Sequence, residues 1–454
     1  MYNRVREQTI LFISVVKWIF LSSIVGAIVG LATTIFLKTL NWSVAGASSL
    51  PYYFLALPPA MALSVAITKY LAPDAEGHGT EKVIEAIHTN FGRIKLIVAP
   101  VKFITTILTV AAGGSVGKEG PCAQIGGSLS SCLADLFRFD DNDRRKLVIC
   151  GISAGFASVF GTPIAGAIFG VEVLFVGQIL YDVLLPSFVA GVMAFEVSAA
   201  LGVTYFHDPI KFVPMFSEYF FIKVIIAGIF FGLCSFLLVE VLGLGKSLSE
   251  KIKVWEPVKA FAAGAVLVCL ALVFSTRYLG LGLETIQSNL SGQVSVWYSF
   301  LIKMVFTSLT LGFGGSGGII TPIFFIGSTA GALFARLFGL DAATFAALGF
   351  VSLLAGSANT PIAASIMAVE LFGPVVAPYA TIACIISFLM TGHRSVYPSQ
   401  ILSIKKSQSI QVQTGEAMDR LTVAFKPRGK SITGFVSRMA RAVKDKIDKR
   451  RPGV

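Results

Sequence analysis

Two charged residues, Lys118 and Glu119, interrupt a glycine-rich break between two long apolar runs, in the stretch GGSVGKEGP at 113–121. An apolar tract accepts a charged side chain only where that charge has a partner or a task. Lys118 is a poor partner for Glu119, because adjacent residues of a turn or helix point in different directions. The sequence therefore favours a functional role for the Glu119 carboxylate over a local salt bridge.

A second stretch, GGSGGIITP at 314–322, repeats the pattern without the acid. In both stretches glycines precede a proline, which at a first helical position lacks only an N–H that would be unpaired anyway. Each motif predicts a helix N-terminus, whose free N–H groups and partial positive charge bind anions. The residues that build these two starts are Gly117, Gly120, Pro121, Gly318, Thr321 and Pro322.

A third helix start is predicted in EGHGTEKVIEAI at 76–87, with the helix beginning at Thr80 or Glu81. It follows an apolar run and points its N–H donors toward the same region as the other two starts. His78 and Gly79 come directly before this helix. A histidine there can donate an N–H to an anion or carry a charge near neutral pH. A lone histidine is more often a bystander, but this one lies in a helix-start motif and is predicted to line a pore.

The two glycine motifs belong to an internal repeat. Residues 113–137 and 314–338 share ten identities in 25 positions, and TPIAGAIFGVE at 162–172 recurs as TPIAASIMAVE at 360–370 with seven identities in 11. The offsets are 201 and 198 residues, so both pairs are in register. We predict two homologous halves, about 10–206 and 216–402, which in transporters often have inverted topology.

The composition identifies an integral membrane protein. The chain has 454 residues, is 55% hydrophobic and 14% charged, and has a mean hydropathy of +0.78. A helix needs about 20 apolar residues to span a membrane. In lipid such tracts satisfy their backbone hydrogen bonds by forming α-helices, so an all-α fold is predicted. The predicted spans are 10–38, 52–71, 183–203, 219–243, 257–275 and 375–391. Other apolar stretches, among them 121–137, 163–175 and 320–338, are read as tilted or broken helices lining a path.

The positive charge is concentrated at the end of the chain. Residues 402–454 contain 13 Lys/Arg against four Asp/Glu, out of a net charge of +12 for the whole chain. The positive-inside rule places this end in the cytoplasm, and Arg4 and Arg6 favour the same side for the N-terminus. Apolar residues at helical spacing over about 431–449 predict either a basic amphipathic helix on membrane lipid or a solvated tail.

The motifs GKEGP at 117–121, GGIITP at 317–322, GHGTE at 77–81 and HRSVYPSQ at 393–400 resemble, in order and spacing, the signature elements of the CLC chloride channels and anion/proton exchangers. The resemblance covers about 10–402, the predicted membrane domain, and leaves 403–454 as a basic tail that is too short for the regulatory nucleotide-binding modules of some members. It implies an all-α CLC fold of two inverted repeats, and a homodimer in which each subunit has its own pore.

The resemblance also implies roles for individual residues. Glu119 corresponds to the gate, which occupies an anion position when deprotonated and swings out when protonated. The central anion is held by the backbone N–H groups of Ile319 and Ile320, by the Tyr397 hydroxyl and by the residue matching His78. From the motifs themselves we add Gly79, Lys118, Gly120 and Thr321 to the anion-binding set, with Gly117, Pro121, Gly318 and Pro322 as the helix-start scaffold. Lys118 either raises the local positive potential or extends into an aqueous vestibule.

Three departures from the family pattern bear on mechanism. His78 stands where serine is frequent, and Ile320 stands where phenylalanine is typical. Val173 stands where many exchangers have an inward-facing glutamate that passes protons, with Glu172 one place before it. Because Glu172 and Glu370 are equivalent in the repeat, we read both as braces of helix ends rather than as proton carriers.

We therefore expect passive conduction of a small anion, most of all chloride, across the cell membrane through a pore gated by Glu119. The alternative is proton-coupled antiport of chloride or fluoride, since some halide exchangers of the family lack the inner glutamate. The six cysteines and four histidines show no ligand spacing, so neither a metal nor a cofactor is expected. No enzyme motif such as HExxH or GxSxG is present, and no nucleic-acid partner is expected.

Overall fold

The computed structural model describes residues 2–205 and 217–425, and helices dominate both ranges. Apolar tracts of this length satisfy their backbone polar groups within the helix, as lipid requires. Eight described α-helices precede residue 206: α1 Tyr2–Ser48, α2 Leu57–Leu71, α3 Thr80–Asn90, α4 Val98–Ala111, α5 Glu119–Leu136, α6 Asp141–Phe160, α7 Pro163–Glu172 and α8 Tyr181–Ala200. Eight more follow residue 216: α9 Glu218–Lys251, α10 Glu256–Val273, α11 Leu283–Leu290, α12 Ser299–Gly312, α13 Ile320–Phe338, α14 Ala342–Ala358, α15 Pro361–Phe372 and α16 Ala377–Met390.

Six helices among the described residues are long and apolar enough to cross a membrane: α1, α2 with the turn before it, α8, α9, α10 and α13. Two predictions about spans were wrong. The stretch 320–338 is predicted to be broken by glycine and proline, but α13 is continuous over 19 residues, with Pro322 in its first turn, where no helical hydrogen bond is lost. The stretch 375–391 was read as a span, but Pro374–Val376 forms a separate turn and α16 has 14 residues.

The two sets of eight helices correspond in order, and the pairs α5 with α6 and α13 with α14 make the largest contacts of their halves. The halves meet at the glycine motifs through two matched hydrogen bonds. The Gly117 N–H donates to the Gly318 carbonyl at 2.6 Å, and the Gly318 N–H donates to the Gly117 carbonyl at 2.6 Å. Because Gly117 and Gly318 are equivalent in the repeat, the junction is symmetric across the two halves, as the inverted-repeat fold requires.

Buried hydroxyls reinforce the same junction in a reciprocal way. The Ser115 N–H donates to Oγ1 of Thr310 at 3.2 Å, and the Ser316 N–H donates to Oγ1 of Thr109 at 3.2 Å. All four residues are buried. A helix-borne threonine of each half thus satisfies a loop amide of the other half, which would be costly to leave unpaired in an apolar interior.

The chain after α16 packs back onto the helical domain. The strand β1 Phe175–Val176 pairs in parallel with β2 Ile401–Leu402, and β3 Ile410–Gln411 pairs with β4 Ala424–Phe425. Nζ of Lys406 donates to Oδ1 of Asn359 at 2.6 Å and to the Phe388 carbonyl at 2.7 Å. The first part of the predicted tail is therefore anchored, whereas the helix predicted over 431–449 lies outside the described residues.

Candidate functional site

The N-termini of α3, α5 and α13 meet at one point, and glycines allow them to do so. A Cβ atom on Gly79 would overlap the Gly120 carbonyl, and a Cβ on Gly120 would overlap the His78 carbonyl. A Cβ on Gly318 would lie 2.7 Å from the Gly120 amide nitrogen. Helix starts expose N–H groups that have no partner within the helix, so this junction concentrates hydrogen-bond donors and positive potential.

Glu119 lies at this junction, and its side chain is fully buried. The Thr321 N–H donates to Oε2 of Glu119 at 3.2 Å, and the Thr321 hydroxyl donates to Oε1. Thr321 is the second residue of α13, so the carboxylate of one half is held by the helix N-terminus of the other half. Glu119 therefore occupies a position that suits an anion.

His78 and Tyr397 face each other beside Glu119, with ring centroids 5.5 Å apart. Nδ1 of His78 and the Tyr397 hydroxyl are both buried without a hydrogen-bond partner among the described residues, although Thr80 lies beside the hydroxyl. Buried polar atoms in native proteins are nearly always paired. Two such atoms in one place indicate a site that an anion or water completes.

The remaining predicted residues fall where the motifs placed them, with one correction. Lys118 and Ile319 are the N-cap residues of α5 and α13, and Ile320 is fully buried at the first position of α13. The helices begin at Glu119 and Ile320, so Pro121 and Pro322 are third residues rather than first. Both prolines still lie in the first turn, where a missing N–H leaves no helical bond unmade.

Sequence reasoning missed a second copy of the third helix start. GHGTE at 77–81 recurs as GLGLE at 280–284, offset by 203 residues, and α11 begins at Leu283 as α3 begins at Thr80. Gly79 and Gly282 both have positive φ, 82° and 71°, which glycine adopts without strain. A search at the offset of 201 residues misses this pair, whereas a search that allows small insertions finds it.

Two buried lysines hold these two loops in equivalent ways. Nζ of Lys102, on α4, donates to the carbonyls of Ala75 at 3.1 Å and Gly77 at 2.5 Å. Nζ of Lys303, on α12, donates to the carbonyls of Tyr278 at 3.0 Å and Gly280 at 2.9 Å. Both lysines are fully buried. Sequence reasoning did not single them out, although a lysine in an apolar helix at matched repeat positions was the signal.

Glu172 and Glu370 brace helix ends, as predicted, and each does so in the other half. The Glu172 carboxylate accepts N–H bonds from Ile362 at 3.0 Å and Ala363 at 2.8 Å, at the start of α15. The Glu370 carboxylate accepts N–H bonds from Ile164 at 2.9 Å and Ala165 at 2.8 Å, at the start of α7. Val173 is the C-cap residue of α7 and is fully buried, and its side chain has no group that could carry a proton.

Buried helix N-termini converging on a carboxylate, inside a duplicated helical membrane domain, define an anion-transport protein. Comparisons with known proteins agree. A sequence model of the family described as voltage gated chloride channel matches residues 60–392, so the chain belongs to the CLC family. The prediction of the family from four motifs is confirmed.

Relatives and solved structures support the same assignment. The chain is 37% identical over 401 residues to the "Chloride/fluoride channel protein" of Pseudomonas syringae pv. tomato, covering 87% of this chain and 88% of that one. It is 30% identical over 338 residues to the "Voltage-gated ClC-type chloride channel ClcB" of Escherichia coli, covering 70% and 79%.

Among solved structures, a CLC-type fluoride/proton antiporter matches with a TM-score of 0.82 and 30% identity, covering 86% of this chain and 98% of that one. A slow cyanobacterial Cl⁻/H⁺ antiporter matches with a TM-score of 0.73 and 22% identity, covering 82% and 94%. The predicted all-α CLC fold is confirmed, and the chain is a multi-pass membrane protein of a family that transports anions.

Proposed function

We propose that this protein exchanges a small halide, above all fluoride, for protons, with Glu119 as the gate. The observation that carries the proposal is the buried Glu119 carboxylate at the start of α13, held by the N–H and hydroxyl of Thr321. An anion that takes this position displaces the carboxylate, and a proton on the displaced carboxylate removes the charge that competes with the anion. Anion and proton then use the same side chain in turn, which is the requirement for exchange.

Fluoride suits the donors in this place better than larger halides do. It is a small anion and a strong hydrogen-bond acceptor, and the site offers the compact donors His78 Nδ1, the Tyr397 hydroxyl and the Thr321 hydroxyl. The names of the Pseudomonas relative and of the antiporter with a TM-score of 0.82 point to the same ion.

Passive conduction of chloride is the second candidate, and Val173 favours it. The side chain at this position is fully buried and cannot pass a proton to the cytoplasmic side. A channel needs no such group, because the anion alone crosses the membrane. In either case we propose a transporter and not an enzyme.

Reconstituted protein separates the two candidates. Liposomes loaded with fluoride and clamped with valinomycin are diluted into fluoride-free buffer, and fluoride efflux and external pH are recorded together. Exchange requires proton uptake in fixed proportion to fluoride efflux, and Glu119→Gln must abolish that uptake. Efflux without proton movement in the unmodified protein would refute exchange and leave conduction. The same assay with chloride tests the choice of ion.

We also propose a homodimer in the cell membrane with both termini in the cytoplasm. The support is the excess of Lys/Arg over 402–454 and the positive-inside rule. A cysteine appended after Val454 should react with an impermeant maleimide in inside-out vesicles and remain unlabelled in intact cells.

Chemical cross-linking in native membranes tests the dimer, and a single band of monomer mass at every cross-linker concentration would contradict it.

A further inference from the structure

The acid in the third helix start has no role in the mechanism described so far. Glu81 is the second residue of α3, three positions after His78. Oε1 of Glu81 accepts the Ser399 N–H at 2.9 Å and the Ser399 hydroxyl at 2.5 Å. Oε2 of Glu81 is buried without a partner among the described residues. A carboxylate that only braced the Ser399 loop would have no reason to leave its second oxygen buried and unmatched.

Glu81 has neighbours that lead toward the gate on one side and toward an open crevice on the other. On one side, Ser399 follows Tyr397 by two residues, and the Tyr397 ring faces His78, whose carbonyl touches Gly120 next to the gate. On the other side, Glu85 lies one turn along the same face of α3. Glu85 and Lys82 line an open polar crevice of about 790 Å³. Glu81 itself is partly exposed, whereas Glu119 and Tyr397 are fully buried.

Glu81 differs in burial from its counterpart in the other repeat, although both acids are the last residue of a GxGxE motif. Glu284 holds the matching position in GLGLE, at the second residue of α11, and it is exposed. The matching position to His78 is Leu281, which has no polar group. Of these two equivalent helix starts, α3 therefore has an acid that packs against polar groups, whereas the acid of α11 is exposed.

We propose that Glu81 is the proton-carrying group on the inner side of the gate, the role for which Val173 has no chemistry. Glu81 takes a proton from water at the crevice and becomes a neutral carboxylic acid. It then releases the proton through the groups around Tyr397 to the displaced Glu119 carboxylate, so that one O–H bond breaks and one forms. This inference rests on the proposed exchange of anion for proton.

The charges around Glu81 are consistent with transfer near neutral pH. The helix α3 is not among the candidate spans, and burial raises the pKa of the Glu81 carboxyl to about 7, against the opposing effect of the Ser399 hydrogen bonds. Glu85 acts in the same direction as burial and Lys82 acts against it. From the loop after α16, Tyr397 and Ser399 face the carboxyl, and neither adds a charge.

The test is the ratio of proton flux to fluoride flux in the reconstituted Glu81→Gln variant. The glutamine Oε1 still accepts both Ser399 bonds, but the amide cannot carry a proton. We expect fluoride efflux to persist while proton uptake falls about 100-fold, the lower range of what a positioned acid–base group contributes. Glu284→Gln is the matched control, at the equivalent exposed position, and should keep both fluxes.

Each other outcome is decisive. Coupled proton uptake in Glu81→Gln at the unmodified ratio overturns the inference, and so does an equal loss of both fluxes in a folded variant, which would mark Glu81 as a brace. If Glu81→Gln does not fold, Glu81→Asp keeps the titratable group and shortens it, and the inference requires its fluxes to remain coupled. Uncoupled fluoride efflux in Glu81→Asp overturns it. Absence of proton uptake in the unmodified protein refutes the exchange itself, which is a separate result.

Discussion

In the proposed exchange, Thr321 controls how firmly the Glu119 gate stays closed, because both its N–H and its hydroxyl hydrogen bond to the Glu119 carboxylate. An entering anion competes with Glu119 for the same two donors. The resting state is thus a balance between two acceptors at one helix N-terminus, and the hydroxyl is the part of that balance that substitution can remove without disturbing the backbone.

Thr321→Val should loosen the gate. A hydrogen bond to a charged group contributes about 1.5–3 kcal/mol net, so the open fraction should rise about 10- to 100-fold. Uncoupled fluoride leak at alkaline pH, recorded with a fluoride electrode, measures the effect. Thr321→Ser should restore tight gating. Thr329→Val is the control, because the Thr329 hydroxyl donates to the Phe325 carbonyl of its own helix. Equal leak in the control would contradict the role of the Thr321 hydroxyl.

At the scale of the elements, close approach of three helix starts depends on glycines with no room for a side chain. Gly120→Ala would place a methyl group against the His78 carbonyl, where backbone on both sides resists movement. We expect this variant not to accumulate as folded protein, as judged by size-exclusion chromatography in detergent. Gly46→Ala is the matched control, because a Cβ there meets no atom within 4 Å. A monodisperse, active Gly120→Ala protein would show that α3 and α5 can separate.

The reciprocal braces of α7 and α15 should both contribute to stability, and the more buried Glu172 should contribute more than Glu370. Glu172→Ala and Glu370→Ala each leave two helix N-terminal N–H groups without their carboxylate, at a cost of about 1–3 kcal/mol for each group left unpaired. Thermal melting in detergent should show a lower melting temperature for both. Glu240→Ala is the control, since Glu240 pairs with Arg394 while 47% exposed, and such pairs contribute about 0–1 kcal/mol. If neither variant lowers the melting temperature by more than Glu240→Ala does, the bracing role is contradicted.

The sequence predicted these elements unevenly, and the reasons are physical. Glycine and proline mark helix starts directly, so α3, α5 and α13 were placed to within two residues. The interior of α13 was misread, because Gly327 and Gly331 look like helix breaks in a sequence, whereas in the structure they allow close packing against Gly349 and Phe345 of α14. The split of 375–391 depends on Pro374 and Gly373, which end one helix and delay the next.

At the scale of the whole molecule, a duplicated scaffold supports chemistry on one side. The repeat supplies matched glycines, matched threonines and matched lysines to both halves. His78, Glu81 and Glu119 correspond to Leu281, an exposed Glu284 and Ile320. The proposed functional groups therefore lie where two otherwise equivalent helix starts differ.

The buried lysines test this one-sidedness. Lys102→Met and Lys303→Met each leave two loop carbonyls unpaired, so both variants should melt at lower temperature by a similar amount. Fluoride binding should weaken in Lys102→Met, because Lys102 holds the loop that positions His78. The affinity should fall about tenfold for each 1.4 kcal/mol lost. Lys303→Met should bind fluoride like the unmodified protein. Calorimetry measures the affinities, and equal weakening in both variants would contradict the assignment.

The site was predicted in part. Four motifs predicted the candidate gate Glu119 and its neighbours, which the structure brings together, since glycine, proline and an acid in an apolar tract are visible in one dimension. Glu81 and the lysines were missed because their roles depend on burial and on contacts with residues up to 318 positions away, as between Ser399 and Glu81. The second GxGxE copy was missed because insertions shift its offset.

The bonds from Ser115 to Thr310 and from Ser316 to Thr109 are of the kind that two identical subunits make across a two-fold axis, where each residue contacts its partner's counterpart. We interpret the junction at the core of this chain as a former homodimer interface within one polypeptide. We therefore expect that the connection between the two halves, residues 206–216, can be cut without loss of assembly. Residues 1–210 and 211–454, expressed as separate chains, should assemble and transport fluoride, and failure to co-purify would argue against such an origin.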